Sequence, residues 1–441
     1  MTDNVQAPIA ENQPQETLFN MLRAPEETQQ LDIPMGIIID LIVRILFNEG
    51  DVSLRRISEV VRLSPAILDP IMAKLQHDKI VEVASAGQMG RFTYIYALTD
   101  EGAKRARDAM ERSQYVGPAP VPIEKYNQII LLQTNRRLTV STEQVQQSLS
   151  HLILPDNFHR SIGPAVNSGT SLFLYGPPGN GKTTVAEAIA KLIAGTDSIW
   201  VPYAVSVAGY IIKIHDPLLF KAIDLTADED RYLDKRWGKW ERPAIMVGGE
   251  LIMEALELRY DTIAKFYEAP LQMKANGGMF LIDDFGRQTM PPQQLLNRWI
   301  VPLESRYDFL RLRTGQSFQV PFRQLIVFST NLDPNELVDG AFLRRIQMKV
   351  AVKSPDDRMF FQIFGIMAKH YNIPMEKEGF LHLVQKWYRD AERKMEAVHP
   401  RDILKIIVSI CSYTGEQPRL TPQLVDEACS NYFVETDTKD W

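Results

Sequence analysis

Apolar positions first gather between 34 and 47, where PMGIIIDLIVRILF is broken only by Asp40 and Arg44, and Gly50 closes what the spacing predicts to be a helix. Ser53 heads a second helical pattern, SLRRISEVVRLS, and Ser64 a third that runs to about Lys79. Two β-branched and aromatic runs, IVEVA and RFTYIYALT, flank a turn at 87–90 and predict a hairpin, after which Thr99 caps the helix DEGAKRARDAMER. The stretch YVGPAPVP at 115–122 reads as a linker, and a polar helical segment at 141–154 follows it. From there apolar strands alternate with helical patterns as far as Val352, the mark of a parallel α/β sheet. Beyond Ser354 and Pro355 only helical periodicity remains. The expected division is a tail over 1–33, a helix-and-hairpin domain over 34–114, a linker over 115–148, an α/β core over 149–353 and a helical lid over 354–441.

Composition narrows the classes. With 441 residues the chain is too long for one typical core, and 49 Lys plus Arg against 55 Asp plus Glu leave no chain-wide basic field. Residues 1–33 hold one base, Arg23, against six acids and few aromatic or β-branched side chains, so that tail is expected to be disordered. The longest apolar run falls short of the roughly 20 residues a membrane span requires, and the first 30 residues are acidic and rich in Gln and Pro. A cytoplasmic protein without membrane insertion is expected. Cys411 and Cys429 lack CxxC spacing and read as small buried hydrophobes, and none of the seven histidines falls in a metal-ligand spacing.

The strongest chemical signal is SLFLYGPPGNGKTTVAEAIAKLI, an apolar strand, a GxxxxGK[ST] loop and a helix that opens at the lysine. In such a loop the backbone N–H groups of Gly176, Pro177, Pro178, Gly179, Asn180, Gly181, Lys182, Thr183 and Thr184, prolines excepted, close around phosphates. Lys182 reaches the β- and γ-phosphates, and the Thr183 hydroxyl ligates Mg²⁺. The second signal is GGMFLIDDF, a strand ending in two carboxylates: Asp283 is expected on the metal side and Asp284 as the base for the attacking water.

These motifs make the chain resemble an AAA+ ATPase. LIVFSTN, ending at Asn331, resembles the family's sensor-1 strand, DGAFLRRIQMKVAVKSPD the segment bearing the arginine finger, and HPRDILKII the sensor-2 helix of the lid. The resemblance implies ATP and Mg²⁺ as cofactors, Asp284 and Asn331 placing water, and Arg401 reaching the nucleotide from the lid. It also implies that Arg345, chosen over its neighbour Arg344 because it directly precedes Ile346, acts in a neighbouring subunit of a homo-oligomer, a hexamer by family habit. The family's usual Asp-Glu pair is Asp283-Asp284 here, a shorter base. The segment FLRLRTGQSFQVPFRQLIVF is similar to the hairpin before sensor 1 in MoxR-type ATPases, and no GAFTGA loop is present. IWVPYAVSVAGYIIKI reads as a second hairpin, turning near 207–210, with a partner-gripping pore loop as the alternative. RYLDKRWGKWER reads either as a helix against the core or as a base-stacking segment.

Residues 34–112 resemble a winged helix-turn-helix, with eleven bases and eleven acids. With Leu68, Ile71, Met72 and Leu75 facing inward, the expected exposed face of the third helix is Ala66, Ile67, Asp69, Pro70 and Ala73, with Lys74 its one base. Asp69-Pro70 is an alternative cap for that helix. Specific DNA interfaces are markedly positive, so the face suits a protein partner, while Arg55, Arg56, Arg62 and Arg91 keep DNA open. The expected function is ATP hydrolysis coupled to remodelling of a macromolecular client; the alternative is a DNA-binding regulator with ATP as an assembly switch.

Overall fold

The computed structural model describes residues 13–86, 91–135, 139–337 and 340–433, so the expected turn at 87–90 lies outside the described residues. The chain forms a mixed α/β structure of two compact units. The first comprises Met1–Leu138, Ile193–Phe280 and Gln293–Ile326, the second Thr139–Leu192, Leu281–Pro292 and Val327–Trp441. Residues 193–280 and 293–326 thus group with the N-terminal part, which revises the expectation of one α/β core over 149–353.

In the first unit the Met35–Glu49 helix is apolar on all sides and buried from Ile37 to Leu46, as a helix without a solvent face must be. Its two buried charges are answered inside the unit. Asp40 accepts from Arg112 at 2.7 Å, and Arg44 donates to the carbonyl of Tyr115 at 2.8 Å. Gly50, at φ 81°, ends the helix where an L side chain would be strained. Helices Leu54–Val61 and Asp100–Arg112 start where expected, with the Ser53 and Thr99 side chains accepting from Arg56 and Gly102. Val52–Ser53, Ile95–Leu98 and Val81–Ser85 form a three-stranded sheet in that spatial order.

The Pro65–His77 helix runs through Pro70, so Asp69 is not its cap. Ile67 is fully buried, which corrects its place on the exposed face; of the other residues expected there, Ala66, Pro70, Ala73 and Lys74 are exposed and Asp69 is half-buried. Ile67 and Leu68 both point into the core because helical positions one apart still share a wide apolar stripe.

Two further expectations are corrected here. Residues 13–33 are not a disordered tail: Gln13–Met21 is helical, and Leu22 and Leu31 are buried in separate clusters of the unit. The Leu22 carbonyl accepts from the N–H of Asp234 at 2.8 Å. Residues 115–148 are not simply a linker. Val121–Pro122 pairs parallel with Ala204–Val207, and the Ile123–Thr134 helix buries Ile123, Tyr126, Ile129 and Ile130.

The larger sheet of this unit has the order Arg259–Tyr260, Tyr267–Glu268, Tyr210–Lys213, Ala204–Val207, Val121–Pro122. Ala204–Val207 and Tyr210–Lys213 form the expected hairpin, turning through Ala208 at φ 49° and Gly209 at φ 83°, the positive pair that tight hairpins favour. The Tyr307–Arg311 and Ser317–Pro321 ribbon forms as well. RYLDKRWGKWER is neither expected form: Ala227–Tyr232 is a short helix, and Trp237–Glu241 is a strand paired antiparallel with Ser198–Pro202. Trp237 and Trp240 are buried, and the fully buried Arg236 is bound by Asp234 through several hydrogen bonds, so neither the rings nor this cation is available for bases.

In the second unit the strand segments stand in the order 281–282, 327–330, Ser171–Tyr175, Met348–Ala351, the last two parallel. After Pro355 come Asp357–His370, Lys377–His382, a π-helical turn Leu383–Arg389, His399–Thr414 and Pro422–Tyr432, packed around Phe360, Phe364, Leu404 and Ile407. Cys411 and Cys429 are buried and unbridged. Among the described residues no helix is long and apolar enough to cross a membrane.

Ile67→Ala should lower stability by about 2–5 kcal/mol, the range for emptying a core site, whereas Ala66→Glu should leave the melting temperature unchanged. Thermal melts of the two variants check this.

Candidate active site

Every site residue described below belongs to the second unit. The strand Ser171–Tyr175 ends at Gly176, whose φ of 145° and closeness to the Val352 carbonyl leave no room for a Cβ. Gly179 at φ 71° and Gly181 at φ 85° turn the chain back before the Lys182–Ala194 helix begins. Turns of this kind aim successive N–H groups, and the helix N-terminus adds partial positive charge, so the loop is a cradle for anionic oxygens.

Lys182 is buried, and its Nζ donates to the carbonyls of Gly176 at 2.9 Å and Pro177 at 2.8 Å. Burial lowers its pKa, while the carboxylates of Asp283, Asp284 and Glu396 oppose that shift. The Thr183 hydroxyl donates to Asp283 Oδ2 at 2.7 Å, joining the loop to the end of the Met279–Ile282 strand. Asp283 Oδ1 accepts the Asp284 N–H, and Asn331 Nδ2 donates to Asp284 Oδ1 at 3.0 Å. Asp284 sits at φ 48°, a strained conformation for a side-chain-bearing residue, and strain of this sort concentrates at working sites. Gln288 holds the turn by donating to the carbonyls of Asp283 and Asp284 at 2.9 and 3.2 Å.

These groups line a cavity of about 590 Å³, within the range of small-molecule sites. Its lining combines polar groups, from residues 179–184 with Asp283, Asp284, Asn331 and Arg401, with apolar side chains, among them Leu152, Ile153, Ile363 and Met367. Residues 397–398 are fastened to the loop. Val398 N–H donates to the Gly179 carbonyl at 2.9 Å, and the buried Asn180 accepts from Ala397 N–H at 3.0 Å while donating to Ser354 at 3.1 Å. Arg401 is paired with Asp402 at 2.8 Å, which raises its pKa.

Nearly all of the expected site residues therefore meet in one place. Pro177 takes part through its carbonyl and Pro178 is exposed beside the loop. Arg345 is elsewhere: its carbonyl accepts from Ser171, at the opposite end of the strand from Gly176, and Arg344 beside it is exposed. Sequence reasoning missed Gln288, Glu396 and the apolar lining, none of which carries a local motif, and His399, which opens HPRDILKII but receives no role there.

The donor set fits a magnesium nucleotide. Hydroxyl and carboxylate oxygens are the hard ligands Mg²⁺ takes, alongside phosphate oxygens and water. Among the described residues no cluster of three or more His, Cys, Asp or Glu would hold a metal by itself. A lining that is part polar and part apolar suits a ligand with an anionic polyphosphate and a flat base.

Comparison with known proteins bears on this geometry. A curated protein of Rothia mucilaginosa (strain DY-18), described as "AAA ATPase forming ring-shaped complexes", is 27% identical over 263 residues. The match covers 58% of this chain and 35% of the relative, so the chain spans about a third of that protein's length. This likeness supports an AAA+ ATPase in general. A family model described as "Domain of unknown function (DUF8689)" matches residues 356–431, within the C-terminal helices. Among solved structures, NtrX from Brucella abortus is 13% identical with a TM-score of 0.39, covering 70% of this chain and 58% of that one. A mutant of Thermotoga maritima RuvB is 13% identical with a TM-score of 0.35, covering 66% and 69%.

Gly179→Ala should weaken nucleotide binding about tenfold or more. The added Cβ would lie 2.5 Å from Glu396 Oε2 and 2.7 Å from Val398 Cγ1, on a backbone that already disfavours it. Calorimetric titration with ADP, beside a melting curve that shows the fold intact, measures the effect.

Proposed function

We propose that this chain is an ATP-hydrolysing AAA+ subunit that works in a cytoplasmic homo-oligomeric ring, a hexamer in our reading, and uses each cycle to remodel a protein client. The observation that carries this reading is the continuous line Thr183–Asp283–Asp284–Asn331, which ends beside a buried lysine in one cavity. When bound, Mg²⁺ would be held by Thr183 and Asp283 and would neutralise charge building on the phosphates. The loop N–H groups orient the polyphosphate, and Lys182 transfers its hydrogen bonds from the Gly176 and Pro177 carbonyls to phosphate oxygens. Asp284 accepts a proton from the attacking water, with Asn331 fixing its carboxylate. Arg401 reaches the nucleotide from the lid. Arg345, far along the strand from its own loop, is offered to the neighbouring subunit.

The order of helices and strands over 34–112 supports a winged helix-turn-helix, and the ribbon ahead of the Leu325–Thr330 strand supports a MoxR-like branch. A protein client is favoured over DNA because the exposed positions of Pro65–His77 are mostly uncharged, Pro65, Ala66, Pro70 and Ala73, with Lys74 its one exposed lysine and Gln76 and His77 confined to its last turn. Within the same unit Tyr210, Tyr260 and Tyr267 cluster with Arg313 over one ring, the residue types that dominate protein contacts.

Lys182→Ala should abolish tight ATP binding, and Asp284→Asn should retain binding and lose turnover; normal hydrolysis in either sinks the assignment. Arg345→Ala should bind and not hydrolyse. Mixed with Asp284→Asn it should recover activity, because some interfaces then pair an intact carboxylate with an intact arginine. Demonstrably mixed oligomers without recovery would remove the arginine from the reaction. Titration of the full chain with duplex DNA at about 150 mM salt should show no sub-micromolar binding, and ATP-dependent, salt-sensitive binding would promote the regulator instead.

A further inference from the structure

Glu396 stands where the lid segment meets the loop, and no step above uses it. Its Oε2 lies against Gly179; partial burial raises its pKa, and the charge of Lys182 opposes that shift. His399 holds it from the other side. The imidazole Nδ1 accepts from the Glu396 N–H at 3.3 Å and from the Tyr388 hydroxyl at 3.0 Å, so Nε2 carries the proton and faces Glu396 Oε2 at 3.5 Å. Burial, with Arg393 nearby, pushes the His399 pKa down to about 4, so the ring is neutral near pH 7 and leaves the carboxylate's charge uncancelled.

Nor is Glu396 needed to fasten the lid segment. The Val398 N–H bond to Gly179 and the Ala397 N–H bond to Asn180 already do that. What the Glu396 carboxylate adds is charge, brought close to a cradle built for anions.

We infer that Glu396 is a resident counter-charge that competes with polyphosphate for Lys182 and so lowers the affinity of the site for nucleotide. The inference rests on the nucleotide-site reading above. A bound polyphosphate takes over the attraction of Lys182 and leaves Glu396 uncompensated beside new negative charge; both effects oppose binding. The same repulsion hastens release of ADP, which keeps the site from being trapped by its own product.

The test is calorimetric titration of the full chain and its Glu396→Gln variant with ADP and Mg²⁺ at low and moderate salt. Glu396→Gln keeps the shape and removes the charge, so it should bind about three- to tenfold more tightly, and the gap should narrow as salt rises. In steady state KM should fall while kcat does not rise. Asn180→Ala, which cuts the Ala397 bond and leaves the charge, should instead weaken binding. Equal or weaker binding by Glu396→Gln overturns the inference, the weaker result making the carboxylate a clamp. Tighter binding by Asn180→Ala overturns it too, since freeing the lid segment would then explain the gain. A parent chain that binds no ADP takes down the site reading together with the inference, whereas a parent that binds and a Glu396→Gln variant that matches it remove the inference alone.

Discussion

The ammonium of Lys182 is buried, and a buried cation must be solvated by something other than water. Two main-chain carbonyls of its own loop provide the hydrogen bonds, and the carboxylates of Asp283, Asp284 and Glu396 provide the field. Each of those groups is in turn fixed by others: Asp283 by Thr183, Asp284 by Asn331 and its own strained turn, Glu396 by His399. The loop could not take this form with ordinary residues at 176 and 179, where a Cβ would strike the Val352 carbonyl or the Glu396 carboxylate. Sequence constraint at the loop is thus the visible end of an electrostatic requirement that reaches two strands and residues 396–398.

Asn180 shows how such a requirement couples parts of a fold. Its position in the loop suggests a phosphate contact, yet its side chain is buried and divided between Ser354 and the N–H of Ala397. Any displacement of the loop backbone at 179–180 is therefore felt by residues 396–398 through two hydrogen bonds, before Arg401 is considered. Coupling through main-chain N–H groups is short and directional, and it needs no large apolar interface.

What could be read beforehand was whatever is local. The loop, the paired aspartates, the hairpins, the Ser53 and Thr99 caps and the helical C-terminal part each depend on a few neighbouring residues, and the structure has them all. What could not be read depends on distant partners. Residues 13–33 look too polar to fold, but Leu22 and Leu31 find apolar sites made by other segments, and no property of their own stretch announces that. Ile123, Tyr126 and Ile130 behave likewise behind a Pro/Gly stretch that mimics a linker. RYLDKRWGKWER reads as a helix against the core or a base-stacking segment because its strand partner, Ser198–Pro202, is distant in sequence. At the site, the apolar lining and Gln288 were invisible for the same reason: they act through position and carry no pattern.

The cluster that contains the Met35–Glu49 helix also contains Tyr115, Ala119, Ala204 and Ile211. Arg62 adds a guanidinium 4.4 Å above the ring of Tyr203, and the Ala119 N–H is bonded to the Val61 carbonyl. The stretch that most resembles a free-standing module is thus finished with material from nearly a hundred residues away. Cut out at 112, it would carry a bare apolar flank and lose the Tyr115 carbonyl that solvates Arg44. A piece built this way is poorly suited to exchange between proteins as an independent cassette, and it melts with the body that completes it rather than ahead of it.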